Sequence, residues 1–214
     1  MSVMAPYHSG PARESDTQLP DEEYIDMLKE RNSYQYNYGD FKRQCEVSVQ
    51  SQANAFPYTI LRLPDVLGPY DNQGAWADVL LRHRNGMSIP ARVEEDQMRH
   101  RAKASKTFRK ANKKHDYASY KFSVAYAPDV IDAIFAVMNS DKKAVLGEIF
   151  NIANKETITV KDLLFEIGRD LDIPLELDMT TRSPLPTTDF GALDVSKALE
   201  VSLLLAVSSV FVYL

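Results

Sequence analysis

Residues 34 to 46 read Tyr-Gln-Tyr-Asn-Tyr-Gly-Asp-Phe-Lys-Arg-Gln-Cys-Glu. Within this stretch Tyr38 and Lys42 stand four residues apart, with Phe41 and Cys45 as apolar neighbours. On a helix a spacing of four stacks the phenol and the ammonium on one face, one turn apart. A fixed positive charge beside a phenol stabilises the phenolate. The phenol can then act as general acid or base while a hydride leaves or arrives at carbon. Alone, Tyr-x-x-x-Lys is a weak signal, since the two residues fall four apart by chance on many solvated helix faces. Its neighbours change that.

The helix carrying the pair is expected to run to about Ala53, closed by the Asn54-Ala55-Phe56-Pro57 break. Tyr58-Thr-Ile-Leu-Arg-Leu63 is short, apolar and β-branched, the pattern of a buried strand. Pro64 to Tyr70 is expected to leave that strand as a loop, with Asp65 as a turn residue. Trp76, Val79, Leu80 and His83 recur at helical spacing and predict a helix ending before Asn85-Gly86. Phe122 to Tyr126 reads as a strand. Pro128-Asp129 then opens a helix whose stripe Val130, Ile131, Ile134, Phe135 and Met138 is expected to lie in the core. Glu148 to Ile152 predicts another strand. Thr159, with Asp162 at capping-box distance, starts a helix with Val160, Leu163, Leu164, Ile167 and Leu171 on one face. Ile173 to Leu177 is expected to be the last strand.

The 214 residues suit one domain, or one and a fraction. A hydrophobic share of 44% provides for a core, and a formal charge of -5 argues against a nucleic-acid coat over the whole surface. The single cysteine, Cys45, excludes an internal disulfide, so the reducing cytoplasm is the expected compartment. Four histidines and one cysteine form no cluster with zinc-ligand spacing, so no metal site is expected. Residues 1 to 16 show no apolar segment of a secretory signal, and residues 1–20 read as loop. Asp21 to Arg31 suits a short polar helix, acidic first and basic last.

Two stretches stand apart. Arg99 to Lys114 holds eight Lys or Arg and no acid, which reads as a solvated insertion, with a polyanion such as RNA as the alternative partner. Val201 to Leu214 is fourteen residues without a charge, whereas a membrane span needs about 20 apolar residues, so a membrane anchor is disfavoured. A marginal tail anchor, a buried element and sequence foreign to the fold are the readings of this tail, and the last is preferred.

The order of these features resembles a family. The Tyr-x-x-x-Lys helix is followed by Phe56-Pro-Tyr-Thr-Ile-Leu-Arg-Leu-Pro-Asp-Val-Leu-Gly-Pro69, by Val124-Ala-Tyr-Ala-Pro-Asp-Val-Ile-Asp-Ala-Ile134, by Gly147-Glu-Ile-Phe-Asn-Ile-Ala-Asn154, and by Asp194-Val-Ser-Lys-Ala198. The set is similar to the extended short-chain dehydrogenase/reductase superfamily, in its NAD-dependent epimerase/dehydratase group acting on nucleotide sugars. The resemblance implies an α/β fold, a partial Rossmann-like doubly wound parallel sheet (its C-terminal half) with a small α/β substrate-binding portion. It implies Tyr38 as catalytic acid/base, and Lys42 as the residue that holds the nicotinamide ribose and steadies the phenolate. Ser2 would be the accompanying hydroxyl. Backbone groups at Pro64 and Val66 would line the nicotinamide of NAD or NADP, with Asp65 near the substrate's phosphates. A homodimer through the Tyr34–Ala53 helix is implied as well.

The departures matter more than these matches. The family opens with a Gly-rich turn whose helix N-terminus holds the pyrophosphate. No G-x-x-G-x-x-G occurs here, and there are eight glycines in all. The chain is expected to begin where the family's fifth strand ends. The domain reading is a loop over 1–20, a partial epimerase/dehydratase domain over 21–200 with an insertion at 92–118, and an apolar tail over 201–214. The functional expectation is an NAD(P)-dependent epimerase/dehydratase-like protein, inactive or impaired because the dinucleotide-binding half is missing. The alternative is a non-catalytic RNA- or polyanion-binding protein using Arg99–Lys114.

Overall fold

The computed structural model describes residues 11–16, 26, 29–30, 33–69, 75–92, 121–170, 176–182 and 191–203. The Arg99–Lys114 run, Tyr70 and most of Asp21–Arg31 lie outside them, as do residues 204–214 of the tail.

The element order is α1 (Ser33–Ser51), β1 (Ile60–Arg62), β2 (Asp65–Leu67), α2 (Ala75–Arg84), β3 (Ile89–Arg92), β4 (Lys121–Phe122), β5 (Val124–Tyr126), α3 (Ala127–Asn139), α4 (Lys142–Val145), β6 (Ile149–Asn151), β7 (Ile158–Thr159), α5 (Val160–Asp170), β8 (Leu177–Arg182) and α6 (Ser196–Glu200). Among the described residues the strands form four pairs: β1 with β6, β2 with β5 and β3 with β8 in parallel, and β4 with β7 antiparallel. Parallel pairing requires a crossover connection, usually helical, and α3 lies between β1 and its partner β6 in sequence. The class is α/β, as the motif order implied.

Two expectations are corrected. Pro64–Tyr70 is not wholly loop: Asp65, Val66 and Leu67 form β2, in register with Val124, Ala125 and Tyr126. Three residues bear no period, and the flanking proline and glycine masked the strand. The α3 stripe is not all core. Val130 and Ala133 are buried, and Ala136 and Val137 pack on the core beside them, whereas Ile131, Ile134, Phe135 and Met138 are exposed. Small side chains let the helix approach closely, and the large ones face out. Residues 173–175 of the expected strand Ile173 to Leu177 lie outside the described residues, and the strand described beyond them is Leu177-Asp-Met-Thr-Thr-Arg182. Its polar residues gave no apolar run to mark it.

Pro90 inside β3 removes a ladder donor, and the β3–β8 register shifts between Pro90 and Arg92 accordingly. In α2, Val79 and His83 are buried while Leu80 is exposed, so the helix presents a narrower inner face than its spacing suggested. Thr159 caps α5 as expected. Its hydroxyl accepts from the Asp162 N–H at 3.0 Å and donates to Asp162 Oδ2 at 2.7 Å. Leu163 and Leu164 are fully buried behind it.

The main core gathers Ala133, Val145, Phe150, Ile152, Ala198 and Leu203, with Leu61, Leu63, Val137 and Val201 packed against it. Phe150 is wholly buried and centres β6. Val201 and Leu203, the first apolar residues of the tail, therefore belong to this core. A smaller cluster of Ala153, Leu193 and Val195 holds the isolated parallel bridge Ala12↔Leu193.

Candidate functional site

The Tyr38–Lys42 pair sits where its spacing predicted, on one face of α1. Lys42 Nζ lies 5.5 Å from the centroid of the Tyr38 ring. Tyr38 is 47% exposed, so the phenol is open to a ligand approaching that face. Asp40 stiffens the same turn. It accepts from Arg43 Nη2 at 2.8 Å and from Gln44 Nε2 at 2.6 Å. The Arg43 hydrogen bond, ahead of the Gln44 bond and the Arg43 charge, holds the Asp40 carboxyl below its ordinary range despite the opposing effect of burial.

A buried ion pair ties α1 to β1. Arg62 is 5% exposed at the end of an otherwise apolar strand. Its Nε donates to Glu46 Oε1 at 2.9 Å and its Nη2 to Glu46 Oε2 at 2.7 Å. Its Nη1 donates to the Glu14 carbonyl at 3.1 Å. Glu14 in turn accepts the Asn151 backbone N–H through Oε1 at 2.8 Å. The Asn151 side-chain amide donates to the carbonyls of Ala12 and Asp194, each at 3.0 Å. Residues 12–14, α1, β1, β6 and the turn before α6 thus meet in one polar joint. Asp194 completes it, accepting from Arg13 Nε at 3.2 Å and from the Ser196 N–H at 2.9 Å.

Pro64, Asp65 and Val66 follow Arg62 closely and occupy the junction from β1 into β2. Pro64 is buried, Asp65 half-buried and Val66 exposed. Gly68 ends β2 at φ +129°, and a Cβ there would stand 2.9 Å from Tyr126 Cε2. Only glycine fits that turn.

The structure therefore brings Tyr38 and Lys42 together, and places Pro64, Asp65 and Val66 on a separate element that Arg62 links to α1. Ser2 lies outside the described residues. The Glu46–Arg62–Glu14–Asn151 joint was missed by sequence reasoning. Its signal was present: a lone arginine in Ile60-Leu-Arg-Leu63 must find a partner once that strand is buried.

No family sequence model matches the chain, and none of the curated proteins does. Solved structures match over almost its full length. The UDP-glucuronic acid 4-epimerase of Bacillus cereus in complex with UDP-glucuronic acid and NAD is similar at a TM-score of 0.66 and 15% identity, covering 98% of this chain and 55% of that one. The fold here is part of the UDP-sugar 4-epimerase fold. The UDP-glucose 4-epimerase of Thermus thermophilus in complex with NAD agrees at 0.61 and 16% identity, over 97% of this chain and 58% of that one. The UDP-glucose 4-epimerase of Thermotoga maritima with UDP-glucose does so at 0.58 and 18% identity, over 93% and 54%. The chain spans about half the length of these epimerases.

Two of those epimerases hold NAD, so the residues here can be tested against a dinucleotide. The Tyr38–Lys42 face, with an open phenol and an ammonium beside it, suits the nicotinamide ribose end. The sequence given contains no Gly-rich turn running into a helix N-terminus, the element that would hold the pyrophosphate.

Proposed function

We propose that this chain is the proton-transfer and substrate-side portion of an NAD(P)-dependent epimerase/dehydratase-like protein acting on a nucleotide sugar. The single observation that carries the reading is the Tyr38–Lys42 geometry on α1, within a chain that has part of the UDP-sugar 4-epimerase fold. In such chemistry the dinucleotide supplies the hydride acceptor. The role of this chain is narrower. Tyr38 Oη takes or returns the proton of a sugar hydroxyl, a step that a positioned acid/base accelerates about 10²- to 10⁴-fold. Lys42 stabilises the phenolate and offers its ammonium to ribose hydroxyls. Asp65, at the head of β2, is assigned to the substrate's phosphates. Ser2 is retained as the accompanying hydroxyl, and the domain is taken as residues 21–200. A cytoplasmic location follows from the single cysteine, and a homodimer through α1 from the exposed Phe41 and Val47 on that helix.

By itself the chain is inactive or impaired, because much of the rate comes from holding the hydride acceptor in place and the sequence given offers no phosphate cradle to do so. The test is a turnover assay of the purified chain with NAD or NADP and UDP- or dTDP-sugars. No turnover above background is expected, and a measurable rate that Tyr38→Phe abolishes would overturn the inactive reading while supporting the assignment of Tyr38.

A further inference from the structure

We propose that Arg62 is a positioning residue that occupies the Glu46 carboxylate so that the Lys42 ammonium stays with Tyr38. Its functional meaning rests on the reading of Tyr38 as acid/base, but the contact itself does not. Tyr38, Lys42 and Glu46 follow one another at steps of four, so they form a single stripe on α1 with Lys42 one turn from each. The ammonium thus has two neighbours within reach: a phenol ring ahead and a carboxylate behind. Attraction to an exposed ring and attraction to a carboxylate four residues away are of similar size, so the choice depends on what else holds Glu46.

Arg62 settles it from outside the helix. The planar guanidinium engages both carboxylate oxygens, at 2.9 and 2.7 Å, in a buried setting. A single ammonium on a flexible stem does not displace a two-pronged partner of that geometry. The Glu14 carbonyl accepts from Nη1 at 3.1 Å and fixes the fork's orientation. Among the described residues no ion pair joins Lys42 to Glu46, and Lys42 Nζ stands over the Tyr38 ring instead. Arginine in β1 therefore sets the charge beside the phenol without touching it.

The test is an NMR measurement on the full chain, following the Lys42 ε-methylene signals, which the Tyr38 ring displaces upfield and Tyr38→Leu identifies. Arg62→Gln should release Glu46, draw Lys42 towards it and remove the upfield displacement. Glu46→Gln alone should keep the displacement, and Glu46→Gln added to Arg62→Gln should restore it. A joint that only braces the helix would lose the signal in both single variants and not regain it in the double. That pattern, or an unchanged signal in folded Arg62→Gln, overturns the proposal. If Arg62→Gln does not fold, Arg62→Lys is read in its place: it keeps the charge but engages one oxygen, so a reduced displacement supports the proposal and an unchanged one overturns it. No nucleotide is needed for this readout, so failure of NADH binding or turnover would leave it standing, and its failure would leave the enzymatic reading to its own assay.

Discussion

Single residues carry two sharp predictions. Gly68 holds φ +129° against the Tyr126 ring. Gly68→Ala combines a strained backbone with a clash, and is expected to cost about 1–3 kcal/mol in a urea denaturation experiment. Asp194 carries a pH signature. Its carboxyl is held below the ordinary value of 3.8, chiefly by the Ser196 side-chain and backbone hydrogen bonds, with Arg13 adding a Coulombic pull against the cost of burial. A lowered folded-state value means that the unfolded chain binds more protons in acid. Asp194 therefore supports the fold above its unfolded value, and that support is lost as pH falls through the folded one. Asp194→Asn should lower the urea midpoint at pH 7 and flatten its decline below about pH 4. An identical decline in both proteins would mean that the carboxylate does not act through its charge.

At the scale of elements, α6 shows how a helix end is built and where it can be improved. The Leu203 N–H bonds to the Ala198 carbonyl at 2.9 Å and the Ser202 N–H to the Leu199 carbonyl at 3.1 Å, with Ser202 at φ 58° and Leu203 buried. This is the Schellman arrangement, in which glycine is favoured at the left-handed position. Ser202→Gly is expected to stabilise the chain by about 1 kcal/mol, read as a rise in the thermal midpoint. The helices α1, α2, α3 and α5 were legible because ten or more residues give the 3.6 period room to show. β1, β5 and β6 were legible as apolar runs. β2, β3 and β7 were not, since two to four residues carry no period and Pro64 and Pro90 punctuate the first two. Which face of α3 is inner was also hidden. Its helix is apolar nearly all round, and only packing against the core of Phe150 and Val145 selects the small side chains for the inside. The Tyr38–Lys42 pair was legible through local spacing alone. The Arg62–Glu46 joint needed the knowledge that β1 runs beside α1, a long-range fact that spacing does not hold.

The molecule as a whole divides into a core that tolerates little and an outer face that tolerates much. Phe150→Ala, at the centre of β6, is expected to cost about 3–5 kcal/mol by denaturant titration. Phe135→Ser on the outer face of α3 should stay within about 0.5 kcal/mol of the parent. Equal costs would mean that α3 is covered in solution. No helix among the described residues is long and apolar enough to cross a membrane. As proposed, the chain folds as the proton-transfer portion of an epimerase-like protein and by itself holds no dinucleotide. Titration of the purified chain with NADH, following nicotinamide fluorescence alongside circular dichroism, tests it most directly. The expected result is an α/β spectrum that melts cooperatively and no saturable fluorescence change. Saturable binding by the folded chain, weakened by Lys42→Ala, would contradict the claim, since the dinucleotide would then be held by residues other than a Gly-rich turn.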